Sequence, residues 1–200
     1  RQLAEPILDD KGTLIQTIGT VQDVTDQKMS EQKIFHMAHH DALTDLPNRA
    51  LFYDRLKTGL KTARREKRQL AVLFLDLDGF KAINDNDGHQ VGDMLLIGVA
   101  QRLVGCVRDT DTVGRMGGDE FAIILGGDVT HDHVIMVTKK ILTSISEPFD
   151  LMGENRSIGT SIGVSLYPQH GDDSEVLLNK ADEAMYHVKN TGKNGYFLAV

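Results

Sequence analysis

Two apolar runs that end in carboxylates constrain this chain more than any other feature. Residues 69–75, Q-L-A-V-L-F-L, run into Asp76 and Asp78, and residues 115–125 read R-M-G-G-D-E-F-A-I-I-L. In the second stretch, Gly117-Gly118 suits a tight hairpin turn, because glycine reaches φ > 0 without steric cost. Asp119 and Glu120 then stand at the mouth of a buried strand, where an ionised carboxylate persists only beside something cationic. In the first, Asp76 and Asp78 share strand parity and face one side, with Leu75 and Leu77 on the other. Two neighbouring strands with acids at adjacent ends form a site for hard divalent cations, and Mg²⁺ brings phosphates with it. The pattern points to nucleotide chemistry.

The rest of the chain supplies the frame. Residues 5–24 read as two short strands around the 9–12 turn, and twenty residues of hairpin cannot bury their own apolar face. Residues 26–40 are polar and helix-prone. From residue 41 helices and strands alternate: a helix after Pro47-Asn48 with Phe52, Leu56, Leu60 and Ala63 on one face, and the strand at 70–77. Helical or loop segments then run to about 108, ahead of the Gly117-Gly118 hairpin. A helix near 132–146, an alternating strand at 157–166, a helix at 174–190 and a short last strand complete the order. Strands mixed with helices and hairpins make this an α+β sandwich, not a doubly wound sheet. With 40% hydrophobic residues the core is ample, and a net charge of −7 argues against general attraction to nucleic acid or an anionic membrane. The lone cysteine, Cys106, excludes an internal disulfide and reads as a core thiol. No apolar run is long enough to span a bilayer.

Several motifs together resemble the GGDEF domain of diguanylate cyclases, enzymes that condense two GTP into cyclic di-GMP. They are D-A-L-T-D-L-P-N-R at 41–49, F-L-D-L-D-G-F-K-A-I-N-D at 74–85, G-H-Q-V-G-D at 88–93, R-D-T-D at 108–111, G-G-D-E-F at 117–121, S-I-G-V-S-L-Y-P at 161–168 and A-D-E-A-M-Y-H-V-K-N-T-G-K-N at 181–194. The resemblance implies a central, mostly antiparallel sheet flanked by helices, akin to the nucleotidyl cyclases and the polymerase palm. Residues 1–25 resemble the C-terminal end of a PAS sensor domain, residues 26–40 a helical linker or stem suited to dimer contacts, and residues 41–200 the cyclase domain.

The same resemblance implies residue roles. Asp76 and the Leu77 carbonyl are metal ligands, Asp119 is a third and bridges two ions, and Glu120 completes the acidic cluster; Mg²⁺ or Mn²⁺, two per active site, is the expected cofactor. Either Asp119 or Glu120 activates the attacking 3′-hydroxyl. Phe80 and Lys81 cradle GTP phosphates through their backbone, while Asn84 and Asp93 read the guanine edge. A carboxylate accepts from guanine N1–H and N2–H₂ and an amide both donates and accepts, a pairing adenine cannot meet. Lys189 and Lys193 bind phosphate; lysine at 193 keeps the charge where arginine is usual but lacks its bidentate fork. Arg108 and Asp111 form an R-x-x-D product-inhibition site. Catalysis requires a homodimer, because each domain holds one GTP. The expected setting is the bacterial cytoplasm, with a possible C-terminal EAL domain in a longer protein. The competing reading is a non-catalytic GTP- or cyclic di-GMP-binding regulatory module, which the intact Asp76, Asp119 and Glu120 disfavour. An EF-hand in 78–88 fails, since its frame needs Asp where Ile83 stands.

Overall fold

The first apolar run becomes the middle strand of a five-stranded sheet. The computed structural model describes residues 2–200, with the side chains of residues 2–4, 20, 21, 27, 31 and 32 outside that description. The chain divides into two units, Arg1–Ala38 and His39–Val200.

In the first unit β1 (Gln2–Leu8) and β2 (Leu14–Val21) pair antiparallel. The Asp9 carboxylate closes their turn by accepting from the N–H groups of Lys11 and Thr13. Ile15 and Ile18 are 64% and 56% exposed, and a two-stranded ribbon cannot bury its own apolar face. Next comes the helix α1 (Thr25–His39), on which Ile34 and Met37 are also exposed.

The second unit contains α2 (Arg49–Glu66), β3 (Leu70–Asp78), α3 (Phe80–Asp87), α4 (His89–Cys106), β4 (Thr112–Gly117) and β5 (Glu120–Leu125). These are followed by α5 (His131–Ser146), β6 (Phe149–Leu151), β7 (Glu154–Arg156), β8 (Gly159–Tyr167), α6 (Ser174–Thr191) and β9 (Gly195–Leu198). The sheet order is β4-β5-β3-β8-β9, antiparallel throughout except for the parallel β8–β9 pair. The α+β expectation holds. The β6–β7 hairpin forms a separate ribbon that the sequence reading did not anticipate.

Strand β3 is central because it has two faces to bury. Leu73, Leu75 and Leu77 join Leu95 and Val99 of α4 and Ile141 of α5 in one core. Leu70 and Val72 pack with Leu56 of α2 and Leu177 of α6 in the other. Phe52, Leu56, Leu60 and Ala63 form the buried face of α2, as their spacing implies. Val134, Val137, Ile141 and Ile145 do the same for α5. Cys106 is a buried free thiol. On α6, Leu177, Ala181, Ala184, Met185 and Val188 form the buried face, and Val176 is 39% exposed.

The approach of α6 to β8 positions the site. A Cβ at Gly163 would lie 1.8 Å from the Ala181 carbonyl oxygen and 2.2 Å from the Met185 nitrogen, so only glycine permits this contact. Two residues on, the Ser165 hydroxyl donates to the Leu177 carbonyl at 2.7 Å. Small residues on β8 therefore admit the helix backbone against the sheet.

Candidate active site

The β3–β5 register places Asp76 opposite Glu120. Directly paired residues share a face, so both carboxylates emerge on the α2/α6 side at one end of the sheet. Leu77 is the next residue along β3, and its N–H donates to the Asp119 carbonyl at 3.3 Å. In an antiparallel pair a residue's N–H and C=O point to the same side. The Leu77 carbonyl accordingly faces the turn that carries Asp119, while the Leu77 side chain is buried in the opposite core.

The turn itself is a backbone requirement. Gly117 and Gly118 take φ of 141° and 55°, and a Cβ at either would meet nothing within 4 Å. Left-handed geometry, not crowding, demands glycine there. Arg115 fixes the turn from its stem: Nε and Nη2 donate to the Gly118 carbonyl at 3.0 and 2.7 Å, and Nη1 donates to both Asp41 oxygens at 2.9 and 3.1 Å. Asp41 in turn accepts from the N–H and hydroxyl of Thr44. The D-A-L-T segment and the glycine turn are thereby one connected unit. Neither Arg115 nor Asp41 was recognised as a site residue from sequence; an arginine two residues before a glycine pair, inside an apolar strand, was the available signal.

Lys189 reaches the acidic end from α6, one turn beyond Met185, and its Nζ lies 2.6 Å from Asp76 Oδ2. Asp76 is nearly inaccessible, 6% exposed. Burial pushes its carboxyl above the usual range; Lys189 opposes that shift, and the neighbouring Asp119 and Asp78 reinforce it. Glu120 is also raised, first by burial and then by Asp76, Asp182 and Asp119. Lys189 therefore leaves negative charge uncancelled. An all-oxygen donor set with surplus negative charge fits a hard divalent cation, and Asp76, the Leu77 carbonyl, Asp119 and Glu120 would hold it. Asp182, on α6, was not anticipated.

Asp78 differs from its strand neighbour despite equal parity. Its Oδ1 accepts from the Ser161 hydroxyl at 2.8 Å and its Oδ2 from the Asn194 N–H at 2.9 Å. It suspends the turn containing exposed Lys193, which itself takes a left-handed φ of 60°.

Helix α3 begins immediately after Asp78. Gly79 caps it with φ 88° and no side-chain hydrogen bond, so the first-turn N–H groups, including those of Phe80 and Lys81, point out of the helix end. Lys81 is exposed. The Asn84 Oδ1 is buried without a hydrogen-bond partner and lies against Gly92, where a Cβ would come within 1.9 Å of it. Asp93 follows Gly92 and is exposed, so α3 and α4 bring these two residues to one corner.

Arg108 and Asp111 are not part of this cluster. They precede β4, whose other end is Gly117, so five strand steps, about 17 Å, separate them from the glycine turn. Asp111 accepts from the N–H groups of Arg108 and Gly126, at 3.0 and 3.1 Å, and Arg108 is exposed.

Residues 38–195 match the family described as diguanylate cyclase, GGDEF domain. The chain is 44% identical over 167 residues to MucR of Pseudomonas aeruginosa, a bifunctional diguanylate cyclase/cyclic di-GMP phosphodiesterase, covering 84% of this chain and 24% of MucR. It is also 44% identical over 165 residues to the diguanylate cyclase TpbB of the same species, covering 82% of this chain and 38% of TpbB. A solved structure comprising only the TpbB GGDEF domain superposes with a TM-score of 0.79 at 43% identity, covering 81% of this chain and 95% of that one. The chain thus spans well under half the length of either curated relative. Among the described residues no helix is long and apolar enough to cross a membrane.

Proposed function

The chain belongs to the GGDEF diguanylate cyclase family, and from that premise we propose that it condenses two GTP into cyclic di-GMP and two pyrophosphates. The observation that carries this reading is the pairing of Asp76 with Glu120 at one sheet end, with Asp119 beside them and both paired carboxyls raised by burial and by neighbouring carboxylates.

Asp76, the Leu77 carbonyl, Asp119 and Glu120 hold the divalent cations, Mg²⁺ or Mn²⁺. When bound, these ions supply Lewis acidity at the α-phosphate and at the leaving pyrophosphate. The first-turn N–H groups of Phe80 and Lys81 orient the phosphates, assisted by Lys193. Asn84 and Asp93 hold the guanine, and the unpartnered Asn84 oxygen supports that assignment. The ribose O3′ of one GTP attacks the α-phosphorus of the other, the bond to pyrophosphate breaks, and the hydroxyl proton leaves to a carboxylate oxygen of the Asp119–Glu120 pair. Lys189 remains near Asp76 and stabilises charge on the phosphates. Each domain supplies half the site, so a second copy completes it. Arg108 and Asp111 bind the product at the far end of the β4–β5 hairpin, and that binding slows the enzyme.

The test is incubation of the chain with GTP and Mg²⁺, followed by chromatographic separation of the nucleotides. Cyclic di-GMP and pyrophosphate are expected, and both should vanish in the Asp119→Ala/Glu120→Ala variant, a loss of roughly 10³-fold or more. Tight GTP binding without product, even when a fused coiled coil holds two copies together, would instead mark a regulatory module.

A further inference from the structure

The corner that carries Asn84 and Asp93 is attached to the domain by an ion pair outside the reacting centre. Helix α3 is only eight residues long and lies between Gly79 and Gly88, whose φ values are 88° and 89°. Two glycine junctions give a short helix little intrinsic definition. Its last residue, Asp87, is gripped by Arg156 of the β6–β7 hairpin: Nη2 donates to Oδ1 at 2.8 Å and Nε to Oδ2 at 3.0 Å. This is the bidentate fork that fixes direction as well as distance. The guanidinium also meets Glu154 at 2.6 Å.

The hairpin is a firm support. Phe149 and Leu151 are buried in the larger core. The Arg102 guanidinium lies 3.5 Å over the Phe149 ring and donates to the carbonyls of Ser144, Glu147 and Pro148, each at 2.6 Å. Asp87, Arg156 and Leu151 share a cavity of about 210 Å³ with Val91, two residues before Asp93. Asn84 is one helical turn before Asp87, and its buried oxygen has no partner of its own. Its placement follows from the α3 backbone, held at one end by Phe80 in the larger core and at the other by the Asp87–Arg156 pair, and from contact with Gly92.

We propose that Arg156 is a positioning residue for purine recognition: through Asp87 it holds the α3–α4 corner so that Asn84 and Asp93 present one geometry to the base. This rests on the reading of Asn84 and Asp93 as the guanine contacts. Arg156 touches neither base nor phosphate in this scheme; it acts by limiting the ways α3 can tilt. Its loss should therefore weaken substrate binding and blur base selectivity more than it slows the chemical step.

The experiment is calorimetric binding of 3′-deoxy-GTP, which cannot react, to the full chain with Mg²⁺. The companion ligand is 3′-deoxy-ITP, which lacks the 2-amino group. Arg156→Ala should weaken 3′-deoxy-GTP binding roughly fivefold and reduce the preference over 3′-deoxy-ITP, with KM for GTP rising more than kcat falls. Arg156→Lys, which keeps charge but not the fork, should fall between the two. Asp87→Ala should match Arg156→Ala, and the double variant should be no worse than either alone. Strictly additive losses, or an Arg156→Ala affinity within twofold of the parent while Asn84→Ala binds weakly, would overturn the clamp and leave the guanine site standing. Unchanged binding in Asn84→Ala would remove the guanine reading and the clamp together. A purely structural role would lower the thermal midpoint without altering the base preference, and that result also overturns the proposal.

Discussion

Glu120 faces burial and three carboxylates, Asp76, Asp182 and Asp119, with Lys189 in partial compensation. Its folded pKa stands above the ordinary 4.5, so the folded state binds the proton more tightly than the unfolded state does. That contribution favours folding at low pH and is lost as pH rises from 4.5 through the folded value. Glu120→Gln should consequently abolish product formation yet raise the thermal midpoint of chelator-treated protein at pH 7, by about 1 kcal/mol or roughly 2–4 °C. The gap should close at pH 4 and open as pH rises; pH-resolved thermal unfolding in EDTA measures it, and a lower midpoint for the glutamine variant at pH 7 would refute it. Asp76 is a poorer probe, because removing it also takes the ion-pair partner from the partly exposed Lys189 ammonium and mixes two effects. At this scale the sequence was informative wherever a residue type was anomalous in its local context. Carboxylates ending apolar runs are such anomalies, so Asp76, Asp119 and Glu120 stood out. Asp182, Asp41 and Arg156 carry ordinary charges in ordinary surroundings, and their meaning comes from partners 60 or more positions away. Asp78 illustrates the converse: same strand, same parity, but both oxygens are occupied by Ser161 and Asn194.

Two junctions between elements set the site's geometry. The first is the Arg115–Asp41 tie, with side chains only 12% and 24% exposed. Burial pushes the Asp41 carboxyl up, but the Thr44 hydroxyl and Arg115 outweigh it, and the group lies below the ordinary 3.8. A depressed pKa contributes stability that is present above 3.8 and disappears as pH falls through the folded value. Arg115→Ala should cost about 2 kcal/mol at pH 7, in the range for hydrogen bonds to charged groups, and release the Gly118 turn. Urea unfolding at pH 7 and near pH 2.5 should show the deficit shrinking in acid, and kcat should fall on the order of tenfold or more as Asp119 and Glu120 lose their fixed turn. A deficit that is constant with pH would mean the tie is packing, not charge. The second junction is α6 on β8. Gly163→Ala would force a Cβ to 1.8 Å from the Ala181 oxygen, moving the helix that carries Lys189. A loss on the order of 3 kcal/mol is expected by denaturant titration, whereas Ser165→Ala, which removes one buried hydrogen bond, should cost about 1 kcal/mol. If both cost the same, close approach is not what glycine provides there. This face of β8 also shows what periodicity conceals. Alternating apolar and small residues ordinarily mark a strand with one face in water; here the small residues are buried because a helix backbone lies on them. The β6–β7 ribbon was illegible for another reason, since three-residue strands are too short to display a period. Helices α2 and α5, each with four buried apolar positions at helical spacing, were read correctly because the pattern repeats over several turns.

At the scale of the whole molecule, charge and stoichiometry oppose each other. Two phosphodiester bonds require two ribose hydroxyls and two α-phosphates, and one acidic sheet end presents one such half. On the proposed half-site reading two copies bring like faces together, although each chain carries a net charge of −7 and an end whose carboxylates already repel one another. Encounter between isolated chains is thus electrostatically disfavoured and should be helped by screening. The specific activity per chain is expected to rise with protein concentration in the low micromolar range and, at a fixed low concentration, to increase as salt goes from 20 to about 150 mM, where the Debye length contracts to roughly 8 Å. A coiled coil fused ahead of α1 replaces the encounter by an intramolecular one at high effective concentration. In that fusion both dependences should flatten, leaving only the effect of salt on GTP and Mg²⁺ binding, which saturating ligand removes. Initial-rate assays of the two forms across matched concentrations make the comparison. A specific activity that stays constant down to nanomolar chain, with the unfused protein sedimenting as a monomer, would show that one chain completes both bonds and would end the half-site account.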